Sequence, residues 1–152
     1  LQCCKEYKEK IDFFEQPLCV GKEDIMKELS KKYDIKVALE ESVIYNNKQG
    51  VLDDSNWEGP IVVKPSLLGN YWAQYNYYKP RLSNLIFSSA FETSIGLFNC
   101  LNLAKDLELE LAPLGFDTQG FFYDNYGIRS NTAKLDFKQI ESSARSLGNE
   151  LF

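Results

Sequence analysis

The sequence predicts an α/β fold in which about five parallel strands alternate with helices, as they do in a (β/α) barrel. Short apolar runs alternate along the chain with longer segments of helical periodicity. Polar residues close these runs at intervals of 24 to 28 positions, at Glu15, Glu40, Lys64, Ser89 and Asp117. The competing doubly wound sheet usually has a glycine-rich first turn, and no G-x-G-x-x-G motif occurs here. The near-constant repeat therefore favours the barrel.

The composition predicts one globular domain without a nucleic-acid or membrane surface. The 152 residues are 44% hydrophobic and 14% aromatic, which is enough to bury a core. A formal net charge of -5 argues against binding to nucleic acid or to anionic membranes. No apolar run approaches the roughly 18 residues that a membrane span requires.

The first half of the chain is predicted to contain two strands and one clear helix. In order, the segments are the end of a helix over 1–10, a strand over 11–16, a helix over 22–33, a strand over 37–41 and a polar loop or poorly formed helix over 44–58. Pro17 stops the first strand. Ile25, Leu29 and Tyr33 form the apolar face of the helix.

The second half continues the alternation. In order, the segments are a strand over 61–63, an aromatic helix over 68–78, a strand over 85–90, a helix over 93–109, a short strand over 114–117, an aromatic loop over 121–126 and a helix over 137–151. The β-branched run at 61–63 indicates a strand buried on both faces, and Pro65 stops it. Pro80 is expected to end the aromatic helix. The last helix has apolar residues at spacings of three and four, so one of its faces needs a partner.

The chain contains no histidine, which narrows the chemistry that it can perform. Ser-His-Asp and Cys-His nucleophile systems are excluded, and a general acid or base must be Lys, Asp, Glu, Tyr or Cys. The four cysteines, Cys3, Cys4, Cys19 and Cys100, lack C-x-x-C spacing. We interpret them as reduced, partly buried thiols of a reducing compartment rather than as a zinc or disulfide site.

Three charged residues are expected to lie together at the carboxyl ends of the strands. Glu15 and Glu40 end neighbouring strands and Lys64 ends the next, at the face where barrels carry their active sites. Carboxylates with open positions suit Mg²⁺, and a lysine beside a metal-bound substrate can serve as a base or an electrostatic partner. Two structural alternatives stay open: a glutamate–lysine ion pair between strands, and a lysine that merely closes its strand.

Five motifs along the chain resemble those of the enolase superfamily. They are F-F-E-Q-P-L at 13–18, A-L-E-E-S-V at 38–43, V-V-K-P-S-L-L-G at 62–69, S-S-A-F-E-T-S-I-G at 88–96 and L-G-F-D-T at 114–118. As an ordered set they are most similar to the o-succinylbenzoate synthase family, in its cyanobacterial and plant form.

The resemblance implies part of a (β/α)7β barrel, a TIM-barrel-like fold that carries an N-terminal capping domain in this superfamily. The chain would extend from just before the fourth strand through the eighth strand and a C-terminal helix, without the capping domain and the first three strands. Glu15 matches the metal ligand on the fourth strand. Glu40 matches the ligand on the fifth, where this branch normally has Asp. Lys64 matches the sixth-strand lysine.

The resemblance also implies a substrate, partners and a cofactor. Ser88, Ser89 and Gly115 match strand ends that line the carboxylates of a small-molecule substrate. The third-strand metal ligand and the second-strand lysine of a K-x-K motif have no counterpart, so the missing N-terminal half is an expected partner. The expected cofactor is Mg²⁺, with Mn²⁺ as a substitute, and the expected location is the cytoplasm or the plastid stroma.

In the family, water is eliminated from 2-succinyl-6-hydroxy-2,4-cyclohexadiene-1-carboxylate on the way to menaquinone or phylloquinone. The second-strand lysine is the base and then the acid, and the residue matched by Lys64 stabilises the anion as a cation. Two other functions stay open. One is a racemase or epimerase of N-acylamino acids or dipeptides, in which Lys64 is a true acid or base. The other is a non-catalytic barrel remnant kept for packing or interaction.

Overall fold

The alternation of helices and short strands predicted from the sequence is present in the structure. The structure is a computed structural model that describes residues 8–48, 57–109, 114–116 and 136–151. Its elements in chain order are a 3-10 helix (Lys8–Lys10), β1 (Phe14–Glu15), α1 (Glu23–Tyr33), β2 (Val37–Ala38), α2 (Glu41–Lys48), β3 (Ile61–Val63), α3 (Pro65–Leu68), α4 (Tyr71–Tyr78), a second 3-10 helix (Lys79–Asn84), β4 (Leu85–Phe87), α5 (Ser94–Asp106) and α6 (Phe137–Leu151).

Strands that follow one another in the chain are neighbours in space. β1 pairs in parallel with β2, and Glu15 lies opposite Ala38. Leu39, directly after β2, forms a parallel bridge with Ile61 at the start of β3. β3 and β4 form the second small sheet. Parallel neighbours joined by helices are the arrangement that βαβ units produce.

The chain divides into two compact units. The first consists of Leu1–Val63 with Ser83–Ile86, and the second of Lys64–Leu82 with Phe87–Phe152. The core of the first unit comes from its strands and from single residues of the helices that cover them. These buried apolar residues are Met26, Val37, Ala38, Leu39, Val43, Ile61, Val62, Val63 and Leu85. The predicted burial of β3 on both faces is confirmed, because all three of its residues are buried.

The helix predicted over 22–33 is present as α1, but its buried face differs from the prediction. Ile25 is 44% exposed, whereas Met26 is fully buried. Met26, Leu29 and Tyr33 follow one another at spacings of three and four, which is also a helical stripe. The apolar pattern fits both faces, and packing against the strands selects the one centred on Met26.

The second unit is built on a helix pair. α5 and α6 pack together along their length, and the rings of Phe98 and Phe137 lie 5.5 Å apart. The apolar face of α6 therefore has the partner that its sequence pattern calls for. The core of this unit also includes Tyr78, whose ring meets Phe87 edge-on at 6.2 Å.

Three strands are shorter than predicted, and the first of them, predicted over 11–16, covers only Phe14–Glu15. The strand predicted over 37–41 ends at Ala38, and Glu41 begins α2, where a carboxylate in the first turn complements the helix dipole. The strand predicted over 85–90 ends at Phe87. The aromatic helix α4 ends at Tyr78, as predicted, and a 3-10 helix follows it through Pro80. Pro80 is the second residue of that helix, where a missing N–H costs no internal hydrogen bond.

Some sequence predictions lie outside the described residues. These are residues 1–7, which include Cys3 and Cys4, the segment 49–56, Asp117 and the aromatic loop at 121–126. Across the described ranges, no helix is both long enough and apolar enough to cross a membrane.

Candidate functional site

Glu15 and Glu40 lie at the same end of two neighbouring parallel strands. Glu15 is the last residue of β1, and its register partner Ala38 ends β2 two residues before Glu40. Within the first unit, Glu15 therefore ends β1, and Glu40 follows β2 by two residues. Their surroundings differ, because Glu15 is exposed and Glu40 is only 2% exposed.

The side chain of Gln16 holds the backbone of the Glu40 turn. Its Oε1 accepts hydrogen bonds from the N–H of Glu40 at 3.0 Å and from the N–H of Ser42 at 3.4 Å. Gln16 adopts a positive φ of 34°, which is uncommon for a residue other than glycine. Because Gln16 follows Glu15 directly, one short segment both carries the first carboxylate and fixes the position of the second.

The network continues from Gln16 to α1. The Nε2 group of Gln16 donates to the hydroxyl of Ser42 at 2.9 Å, and that hydroxyl donates to Oε1 of Glu23 at 2.6 Å. Burial acts to raise the pKa of Glu23, but hydrogen bonds from Ser42 and from the N–H of Gly21, with the nearby Lys27 charge, hold that pKa below its usual value. An ionised Glu23 thus anchors the turn that contains Glu40.

The described residues alone do not complete a metal site. Among them, no group of three or more His, Cys, Asp or Glu side chains is placed to hold a metal ion. Glu15 and Glu40 are carboxylates of the type that Mg²⁺ prefers, but this cation needs additional oxygen ligands in near-octahedral geometry. The two carboxylates of the described residues therefore do not by themselves provide the coordination that Mg²⁺ requires.

Lys64 follows β3 directly, as predicted, and begins the second unit. It is the N-cap residue of α3, with extended backbone angles, and Pro65 occupies the first helical position. The side chain of Lys64 is half-buried, and its carbonyl accepts the N–H of Leu67 at 3.0 Å. Pro65 thus ends the strand as predicted, and it does so by starting a helical turn.

Ser88, Ser89 and Gly115 are brought into direct contact in the second unit. Gly115 donates its N–H to the carbonyl of Phe87 at 2.8 Å and accepts the N–H of Ser89 at 3.0 Å. The hydroxyl of Ser88 donates to the same Gly115 carbonyl at 3.2 Å. A Cβ at position 115 would lie 3.1 Å from Oγ of Ser88, so glycine allows this close approach. Within the described part of the segment predicted as a short strand over 114–117, Gly115 forms a parallel bridge with Ser88.

Sequence reasoning missed two residues that organise these strand ends, Gln16 and Glu92. Glu92 lies in the loop after β4, is 6% exposed, and accepts a hydrogen bond from the Ser66 hydroxyl at 2.6 Å. For each of them, a feature of the sequence could have indicated a structural role. Gln16 is a polar residue between a strand and Pro17, and Glu92 is an acid within an otherwise uncharged segment, S-S-A-F-E-T-S-I-G.

The fold and the strand-end residues define an α/β protein with polar groups at successive strand ends. Comparisons with protein-family models, with curated proteins and with solved structures found no match to this chain.

Proposed function

We propose that this chain is the C-terminal part of an enolase-superfamily (β/α)7β barrel that acts as an o-succinylbenzoate synthase. The reaction is the Mg²⁺-dependent dehydration of 2-succinyl-6-hydroxy-2,4-cyclohexadiene-1-carboxylate to 2-succinylbenzoate, a lyase reaction. One observation supports this above the others: Glu15, Glu40, Lys64 and Ser88 each lie at or just after the carboxyl end of a successive strand. Barrel enzymes assemble their active sites at this end of their strands.

Glu15 and Glu40 are the residues of this chain that bind Mg²⁺, together with a third carboxylate from a preceding barrel segment. When bound, the cation lowers the cost of negative charge on the substrate carboxylate. The turn held by Gln16 keeps Glu40 in place, because both the Glu40 and Ser42 N–H groups share one acceptor. Preorganisation of this kind reduces the reorganisation needed during the reaction.

Lys64 is the cation that stabilises the reacting anion. A second lysine, which also belongs to the preceding segment, removes the proton α to the substrate carboxylate. The electron pair left by that proton forms the new ring double bond as the hydroxyl group departs, and that hydroxyl leaves as water after taking up a proton. The Lys64 ammonium remains protonated throughout. It offsets the negative charge that develops on the substrate between the removal of the proton and the departure of the hydroxyl group.

Ser88, Ser89 and Gly115 form the substrate-carboxylate side of the site. The Ser88 hydroxyl and the Ser89 N–H both donate hydrogen bonds to the Gly115 carbonyl, which fixes the three residues relative to one another. A cytoplasmic or plastid-stromal location belongs to the same proposal, because the quinone precursors are small carboxylates made inside the cell or organelle.

The test is complementation of the chain. The purified 152 residues are assayed with Mg²⁺ and the cyclohexadiene substrate, alone and after co-expression with a capping domain and first three barrel strands of a synthase. We expect no turnover by the chain alone, and formation of the aromatic product in the complemented assembly. N-acylamino acid racemisation is measured in parallel. Racemisation without dehydration would replace the proposed reaction, and neither activity in a folded assembly would reject an enzymatic role.

A further inference from the structure

The carboxylate of Glu92 joins two turns of the second unit. Its Oε1 accepts the Ser66 hydroxyl at 2.6 Å and the N–H of Ala90 at 2.7 Å. Ser66 belongs to α3, which starts directly after Lys64, and Ala90 directly follows Ser88 and Ser89. One oxygen atom therefore links the turn that carries the lysine to the strand end that carries the two serines. Both distances are short, as expected for hydrogen bonds to a carboxylate.

The structure makes room for this carboxylate. A Cβ at Gly96 would lie 2.9 Å from Cβ and 3.0 Å from Cγ of Glu92, so the Glu92 side chain crosses α5 where a glycine leaves space. Glu92 is 6% exposed, and burying a carboxylate is costly unless hydrogen bonds compensate it. The neighbouring Phe91 has a positive φ of 62°, a strained conformation that persists only where surrounding contacts fix it.

We propose that Glu92 is a positioning residue that holds Lys64 at a fixed place relative to Ser88 and Ser89. The inference rests on the catalytic role proposed for Lys64. α3 has four residues, and Lys64 is its N-cap, so a bond that fixes Ser66 also fixes the backbone from which the lysine side chain extends. Without the bond, the turn can shift, and displacements of about 1 Å can cost up to 100-fold in rate.

The test follows the Lys64 side chain by NMR in the 152-residue chain after reductive ¹³C-methylation of its lysines. The Lys64 signal is assigned from a Lys64→Arg variant. Ser66→Ala removes the bond at an exposed residue, and Glu92→Met removes both bonds. Ser66→Thr keeps the hydroxyl and serves as the rescue. Ser142→Ala, at an exposed position of α6, is the matched control.

We expect the Lys64 signal in Ser66→Ala and Glu92→Met to move towards the shift of exposed lysines. It should keep its wild-type position in Ser66→Thr and Ser142→Ala. An unchanged signal in the folded Ser66→Ala chain would overturn the proposal, as would an equal shift in Ser142→Ala. If Glu92→Met does not fold, Ser66→Ala decides the result alone.

This readout needs neither Mg²⁺ nor substrate, so it is independent of the proposed synthase activity. In the complemented assembly, Ser66→Ala should lower kcat by about 10- to 100-fold with KM retained. If Ser66→Ala shifts the Lys64 signal but the assembly shows no turnover, the synthase function is rejected, whereas the proposed positioning of Lys64 by Glu92 still stands. A shifted signal with unchanged kcat would instead reject the positioning role.

Discussion

The side-chain oxygen of Gln16 accepts the backbone N–H of Glu40 at 3.0 Å, across 24 positions of the sequence. The bond connects the end of β1 to the turn after β2. It also places a neutral acceptor next to a residue that is 2% exposed, where an unpaired N–H would be costly. Gln16 is therefore a structural determinant of the first unit as well as the neighbour of a proposed metal ligand.

Replacing Gln16 with Met should destabilise the protein, because Met has a similar length but no strong acceptor for the N–H groups of Glu40 and Ser42. We expect the free energy of unfolding to fall by about 1–3 kcal/mol in urea denaturation. Gln139→Met, at an exposed position of α6, is the control and should change it little. Equal effects of the two substitutions would contradict this account of Gln16.

Because of Glu23, the free energy of unfolding should decrease as the pH falls into the acid range. The pKa of Glu23 in the folded protein is lowered: burial opposes this shift, and the Ser42 hydrogen bond is the largest contribution favouring it. Its stabilisation is thus present above the unfolded-state pKa of 4.5 and is lost as pH falls through the lower folded-state pKa. Urea unfolding between neutral pH and about pH 3 should show a smaller acid-induced loss for Glu23→Gln than for wild type. Glu28→Gln, at an exposed position of the same helix, should behave as wild type does.

Replacing each of two helical glycines with alanine should change the free energy of unfolding in opposite directions. At Gly96 the new Cβ would meet the Glu92 side chain, whereas nothing lies within 4 Å of one at Gly148. Gly148→Ala should raise the free energy of unfolding by about 0.5–1 kcal/mol, since alanine favours the helix. Gly96→Ala should lower it by roughly 1–3 kcal/mol, because the clash outweighs the same gain. Thermal or urea unfolding measures both, and stabilisation by Gly96→Ala would show that Glu92 can move aside freely.

The thiol of Cys100 should react slowly. Burial, followed by the nearby Glu92 charge, raises its pKa to about 12, whereas the Cys19 thiol is exposed. Peptide mapping after iodoacetamide treatment of the native chain should find Cys19 alkylated well before Cys100, because the thiolate is the reactive form. Glu92→Gln should lower the Cys100 pKa by removing a neighbouring negative charge. Unfolding in urea should make the two cysteines react alike, and equal rates in the native chain would refute the prediction.

Lys64→Ala should abolish most dehydration in the complemented assembly while Mg²⁺ affinity is nearly retained. A preorganised charge of this type is worth roughly 10² or more in kcat. Lys138→Ala removes an exposed lysine of α6 as the control. Steady-state kinetics and a Mg²⁺ titration measure the two effects, and wild-type turnover in Lys64→Ala would exclude the role assigned to Lys64.

The sequence predicted the existence and order of the elements better than their ends. The helices at Glu23–Tyr33 and Phe137–Leu151 were predicted from periodicity, and the buried strand at Ile61–Val63 was predicted from its β-branched run. The strands were predicted to continue beyond the carboxyl ends of β2 and β4, because an apolar or acidic residue after a strand resembles part of it locally. At Glu40 the carbonyl instead accepts the N–H groups of Val43 and Ile44, which turns the chain into a helix.

By itself, the sequence determined where the strands fall and which polar residue follows each of them, since apolar runs, prolines and helical periodicity act within a few residues. Only the tertiary structure decided which face of α1 is buried and which side chains join separate turns. The bonds from Gln16 to Glu40 and from Ser66 to Glu92 span 24 and 26 positions. Their partners meet because neighbouring strands pair and helices pack between them, and no local pattern in the chain encodes such a meeting.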